Sequence, residues 1–144
     1  MIYLFTGQPG SGKTTLAKKL QYWLQTDKKN WRKSVFHIDG DQLRELFPNT
    51  DYSKEGRERN IQKAFDIAKY LDSCGTDVVI SLVSPYRELR EKLKSECKVQ
   101  EIYCHTKKIR GRESFFALDY ESPIEFYVDL DTSASPDDTF SKLI

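Results

Sequence analysis

A lysine set behind a glycine-rich turn is the first group in this sequence able to do chemistry. Gly7-Gln8-Pro9-Gly10-Ser11-Gly12-Lys13-Thr14 has the spacing G-x-x-x-x-G-K-[ST]. Glycines let the backbone curl until successive N–H groups point at one centre, which suits a polyphosphate. A helix starting there adds its unpaired N–H groups and positive dipole end. Lys13 can then reach β and γ phosphates, and the Thr14 hydroxyl can ligate a magnesium ion. These residues point to a nucleoside triphosphate.

Carboxylates come next, in His37-Ile38-Asp39-Gly40-Asp41-Gln42-Leu43-Arg44. Ligands of open α/β sheets sit beyond the carboxyl ends of the strands, so Asp39 and Asp41 are expected near a transferring phosphate. A carboxylate there can orient magnesium waters or take a proton from an acceptor hydroxyl. Turn formation and helix capping are the plain alternatives. Arg44 shares a face with Asp41 if a helix begins there. Farther on, Ser53 can cap a helix on which Arg57 and Asn60 share a face, although Gly56 weakens its first turn. Ser84, followed by Pro85, reads as a further N-cap with proline at the first helical position.

The elements that must hold these groups alternate. Short apolar runs at Ile2–Phe5, Ser34–Ile38, Val78–Val83, Val99–Cys104 and Ile124–Leu130 have strand length and composition. Helical periodicity runs through Thr14–Gln25 and Ile61–Leu71, with Gly75 as a stop, and Pro85–Glu96 carries Leu89 and Leu93. That is a succession of βαβ units, hence an α/β protein with a largely parallel sheet and helices on both faces. Residues 107–123 have no period and hold basic residues and Phe115-Phe116, as expected of a functional loop. His37 and His105 read as sheet-edge residues, and Trp23 and Trp31 as packing residues.

Composition narrows the classes. At about 150 residues per domain, 144 residues make one domain, 1–144. Charged residues are 31%, and aromatics, at 12%, supply core material, which argues against disorder. With 23 basic and 22 acidic residues the net charge is +1, whereas a protein bound to duplex DNA shows a larger basic excess. Nucleic acid is therefore not an expected partner. Nor is a membrane, since no apolar stretch approaches the ~20 residues that span one. The first residues run into the glycine loop without a leader pattern, and Cys74, Cys97 and Cys104 lack metal or redox spacing. Reduced thiols in the cytoplasm are expected.

Four motifs stand in register: Gly7-x-x-Gly10-Ser11-Gly12-Lys13-Thr14-Thr15, Asp39-Gly40-Asp41-x-x-Arg44, Ser53 with Arg57 and Asn60, and Ser84-Pro85-Tyr86-Arg87. Together they resemble the adenylyl sulfate kinase family, whose members phosphorylate the ribose 3′-hydroxyl of adenosine 5′-phosphosulfate in sulfate assimilation. The likeness is close from Ile2 to about Leu93 and resumes at Leu130-Asp131-Thr132-Ser133. It implies a three-layer P-loop kinase fold, a mostly parallel five-stranded sheet flanked by helices. Also implied are ATP and adenylyl sulfate as substrates, magnesium as cofactor, and the family's common homodimer. Residues Gly7 to Thr15 would bind ATP, and Thr14 and Asp39 the metal. Lys13, Asp39, Asp41 and Ser84 would be catalytic, Ser84 aligning with a serine that the family describes as a phosphoryl acceptor; a helix cap remains its other reading. Asp41, Arg44, Tyr52, Arg57, Asn60, Val83, Ser84 and Phe115 would bind the acceptor, with Tyr52 and Phe115 sandwiching its adenine.

The resemblance fails between Thr106 and Phe115, where the family's lid helix is sharply shortened. Arg110 or Arg112 is left to reach the phosphates. Two alternatives stay open on this account: a P-loop kinase acting on another nucleotide or small hydroxylated acceptor, and an ATP-binding protein without turnover.

Overall fold

The structure, a computed structural model, describes residues 1–27, 29 and 34–144; the packing expected of Trp31 lies outside them. Five strands alternate with helices: β1 (Ile2–Thr6), α1 (Lys13–Thr26), β2 (Val35–Asp39), α2 (Gly40–Leu46), α3 (Lys54–Ser73), β3 (Asp77–Ser81), α4 (Arg87–Glu96), β4 (Val99–His105), β5 (Tyr127–Asp131) and α5 (Pro136–Ser141). The sheet order is β2-β3-β1-β4-β5, and every pairing is parallel.

Strand pleating sends alternate side chains to opposite faces and so makes three layers. Ile2, Leu4, Val78 and Ile80 pack on one face with Leu43 of α2, Ile61, Ala64, Phe65 and Ala68 of α3, and Leu93 of α4. Phe5, Val79, Ile102, Cys104 and Leu130 pack on the other with Leu16, Ala17, Leu20 and Leu24 of α1. Because both faces are covered, β3 is buried along its whole length, which accounts for its unbroken apolar run.

Local chemistry sets the helix ends. Ser53 caps α3, accepting from the Gly56 amide at 3.3 Å. Gly56 is there for space: a Cβ would lie 2.2 Å from the Asp51 carbonyl oxygen. At the other end Gly75 takes φ +85° and closes a Schellman motif, its N–H bonded to Asp72 O and that of Thr76 to Leu71 O. Gly75 therefore stops the helix as its position suggests.

Three expectations need correction. Ser84 does not cap α4: the cap position is Tyr86, without a side-chain bond, and Ser84 is held at φ +43°. The last strand starts at Tyr127 rather than Ile124, because Phe126 takes φ +52° and turns the chain just before it. His105 is on β4, which lies between β1 and β5, so it is not on a sheet edge, whereas His37 on β2 is. Residues 107–123 form the expected irregular segment, holding a single 3-10 turn at Glu113–Phe115. Helix α5 lies beyond the expected elements, although Ser135-Pro136 carries its signal: Ser135 accepts from the Asp138 amide at 3.2 Å.

Candidate active site

Parallel strands end on one side of the sheet, and the loops that leave them surround a cleft of about 800 Å³. The loop from β1 to α1 forms its floor. Gly12, at φ +89°, is the N-cap of α1 and offers no side-chain acceptor, so the first amides of the helix stay available to an anion. Gly7 stands behind this surface, where a Cβ would lie 2.2 Å from the Cys104 carbonyl oxygen; β4 thus presses directly on the loop. Lys13 is buried, its Nζ donating to Gln8 O at 2.8 Å and Ser11 Oγ at 3.4 Å. Burial is the largest cause pushing its pKa down to about 8, helped by Arg112 and opposed by Cys104, Asp41 and Asp39.

Across the cleft, Asp39 ends β2 and caps α2. Its Oδ1 accepts from Thr14 Oγ1 at 2.8 Å and Ser81 Oγ at 2.7 Å, and its Oδ2 from the Gln42 amide at 3.3 Å. Burial raises its pKa, but these hydrogen bonds and His37 outweigh that and hold the carboxyl below its usual value. His37 Nε2 is 2.7 Å from Ser81 Oγ. The donor set suits magnesium: a hydroxyl and a carboxylate side by side, with Asp41 exposed in the same cleft. A nucleotide-bound magnesium takes one or two protein oxygens and completes its shell with phosphates and water. Among the described residues no cluster of three or more His, Cys, Asp or Glu could hold a metal by itself.

Asp41, Arg44, Tyr52, Arg57, Asn60, Val83, Ser84 and Phe115 line the far half of the cleft. Arg44 lies 4.1 Å above the Tyr52 ring while its Nη1 donates to Asn49 O and Asp51 O. Arg57 meets Asp119 at 3.3 Å. Asn60 is buried at the cleft wall. Tyr52 and Phe115 are both largely exposed. Ser84 Oγ is buried and has no hydrogen-bond partner.

Pro9, Gly10, Gly12, Lys13, Thr14 and Thr15 also line the cleft, while Gly7, Gln8 and Ser11 are not among its lining residues. The sequence reading missed Ser81 and Ala117. A signal exists for Ser81, a hydroxyl directly after the apolar run Val78–Ile80; none exists for Ala117. Both lid arginines reach the cleft. Arg110 is the better anchored, donating to Gly10 O at 3.0 Å and Thr132 O at 2.5 Å, while Arg112 lies 5.4 Å from the Phe115 ring centre. Cys74, Cys97 and Cys104 are all free thiols. Among the described residues, no helix is long and apolar enough to cross a membrane.

Comparison with known proteins agrees with this arrangement. The adenylyl-sulfate kinase of Pseudomonas aeruginosa is 32% identical over a 162-residue alignment covering 96% of this chain and 81% of the relative. A probable adenylyl-sulfate kinase of Pyrococcus abyssi is 38% identical over 102 residues, covering 69% of this chain and 56% of that one. The chain spans about half the length of several curated relatives it matches. In fold it is similar to the Mycobacterium tuberculosis APS kinase CysC in complex with AMPPNP and APS, with a TM-score of 0.77 at 22% identity over 99% of this chain and 94% of the other. The model of the adenylylsulphate kinase family matches residues 1–113, which takes in the phosphate loop, Asp39, Asp41, Arg44, Arg57, Asn60 and Arg110, and the chain belongs to that family.

Proposed function

We propose that this chain is a magnesium-dependent kinase that transfers the γ-phosphoryl group of ATP to the ribose 3′-hydroxyl of adenosine 5′-phosphosulfate. The observation that carries this reading is one cleft lined by the phosphate loop on one side and by Asp41, Arg44, Arg57, Asn60 and two exposed rings on the other. Amides of Gly10 to Thr15 and the Lys13 ammonium hold the triphosphate. Thr14 and Asp39 would hold a magnesium ion, which when bound would neutralise charge on the phosphate oxygens. Asp41 accepts the proton of the 3′-hydroxyl as the new O–P bond forms and the bond to ADP breaks. Arg44, Arg57 and Asn60 grip the phosphosulfate and sugar. Tyr52 and Phe115 stack on the acceptor adenine, each such contact contributing roughly 1–3 kcal/mol.

In-line transfer between two bound nucleotides requires positioning and charge stabilisation, so Ser84 serves the acceptor wall without a covalent relay. Residues 107–123 act as a short lid on a single kinase domain, with Arg110 the arginine nearer the triphosphate. Free thiols support work in a reducing cytoplasm. A homodimer follows the family's habit.

ADP release from ATP and magnesium, measured with and without adenylyl sulfate, tests the reading. Release that depends on adenylyl sulfate and falls by at least a hundredfold in Asp41→Asn is expected, a general base contributing about 10²–10⁴-fold. ATP binding without any response to adenylyl sulfate would overturn the acceptor and leave a kinase for another hydroxyl, or a binding protein.

A further inference from the structure

The side chain of Gln8 belongs to the phosphate loop by sequence, yet it turns away from the cleft and makes two hydrogen bonds to one distant residue. Its Nε2 donates to Ala117 O at 2.8 Å, and its Oε1 accepts from Ala117 N at 2.9 Å. A carboxamide carries a donor and an acceptor side by side, so it pairs with the backbone N–H and C=O of one residue as a neighbouring strand would. Ala117 is only 3% exposed, so these backbone groups have little access to water. Through its own carbonyl, Gln8 also receives Lys13 Nζ at 2.8 Å. One residue thus touches both the lysine that faces the triphosphate and the segment that carries Phe115.

We propose that Gln8 is a positioning residue that latches the acceptor side of the cleft to the phosphate loop. The segment is pinned to that loop at both ends. Arg110 donates to Gly10 O at one end, and Gln8 grips Ala117 at the other. Between them the 3-10 turn Glu113–Phe115 presents the Phe115 ring, 64% exposed, to the cleft. No helix longer than this turn occurs among residues 106–126, so polar anchoring does here what packing of a longer lid would do. A triphosphate that fixes the loop fixes Gln8, hence Ala117 and the ring two residues before it. Acceptor affinity then rises when the triphosphate is bound, and the coupling is reciprocal. The inference rests on the proposed reading for what enters the cleft, but not for the latch itself.

Two variants separate the latch from simple damage to the fold. Gln8→Met keeps the length and removes both hydrogen bonds; Gln8→Glu keeps the acceptor and sets a carboxylate oxygen against Ala117 O. Hydrogen exchange at the Ala117 amide, followed by NMR with AMPPNP present, reads the latch directly. Steady-state kinetics reads its consequence. Exchange at Ala117 is expected to accelerate at least tenfold in Gln8→Met, with less effect in Gln8→Glu because the bond to the amide survives. The KM for the acceptor should rise about tenfold in Gln8→Met, as expected for lost hydrogen bonds, and several times more than the KM for ATP. Exchange at Ala117 and an acceptor KM within twofold of the parent protein in both variants would overturn the latch. So would an equal rise in both KM values, which marks a disturbed phosphate loop. If the parent protein ignores adenylyl sulfate, the acceptor assignment falls, and exchange at Ala117 still decides for or against the latch.

Discussion

Asp39 carries more of the local chemistry than any other side chain in the cleft. A carboxylate at a strand end needs fixed partners if it is to stay ionised and aimed, and Asp39 has Thr14, Ser81 and the Gln42 amide. Ser81 in turn meets His37, so an edge-strand histidine that looks idle in sequence supports the hydroxyl that supports the carboxylate. Removing that hydroxyl with Ser81→Ala takes away one bond to a charged group, a net loss of about 1.5–3 kcal/mol. We expect the magnesium concentration giving half-maximal activity to rise by roughly tenfold, with ATP present in excess. A titration with magnesium at fixed ATP checks this, and an unchanged midpoint would show that Thr14 and Gln42 alone hold Asp39. Local spacing was enough to expect Lys13, Thr14, Asp39 and Asp41 together, because each lies within a few residues of a turn at a strand end, and one cleft is lined by all four. Ser81 and Ala117 escaped because each acts on a partner far along the chain: Ser81 on Asp39, Ala117 on Gln8.

Helix α4 and strand β4 are joined by a polar network that no periodicity announces. Arg90 and Glu101 are both fully buried and meet at 2.8 Å, and Lys94 binds the second carboxylate oxygen at 2.7 Å. Arg90 also donates to Ser84 O and Glu121 O at 2.5 Å each, tying the loop after β3 to the segment returning from the lid. Ser84 is held at φ +43° with its carbonyl accepting from Arg90 and from Thr6 Oγ1, while its buried hydroxyl has no hydrogen-bond partner. Truncating Arg90 leaves the buried Glu101 carboxylate with Lys94 as its remaining cation, and breaking a buried pair in this way costs about 3–5 kcal/mol. Arg90→Met should therefore lower unfolding stability by that amount in urea titrations, and Arg90→Met combined with Glu101→Leu should recover a large part of it. Equal losses in the single and double variants would contradict an ion pair in the core. The strands and long helices were legible because a sheet covered on both faces leaves apolar runs of strand length, whereas the six-residue α5 is too short to show a period. A serine before a proline was a weaker guide: Ser135-Pro136 does open a capped helix but was not read as one, and Ser84-Pro85, read as a cap, is none.

Taken whole, the molecule brings remote segments to one end of a parallel sheet. Strand order β2-β3-β1-β4-β5 sets the phosphate loop at the centre, Asp39 and Asp41 on one flank, and the lid arginines with Thr132 on the other. Thr132 Oγ1 donates to Ser11 O at 2.7 Å, so the turn after the last strand closes on the loop after the first. The short segment between β4 and β5 still delivers Arg110, Arg112 and Phe115 to the cleft. Its irregular course was foreseeable from its lack of period, but its anchoring was not, since hydrogen bonds to carbonyl groups leave no mark in residue type. The most direct test of this account follows the phosphoryl group itself. Purified protein is incubated with γ-labelled ATP, magnesium and adenylyl sulfate, and the nucleotides are separated. The account predicts label on the 3′-oxygen of adenylyl sulfate in equal amount to the ADP formed, and label arriving at least a hundredfold more slowly with Asp41→Asn. Label that stays in ATP, or leaves it only as inorganic phosphate, would contradict it.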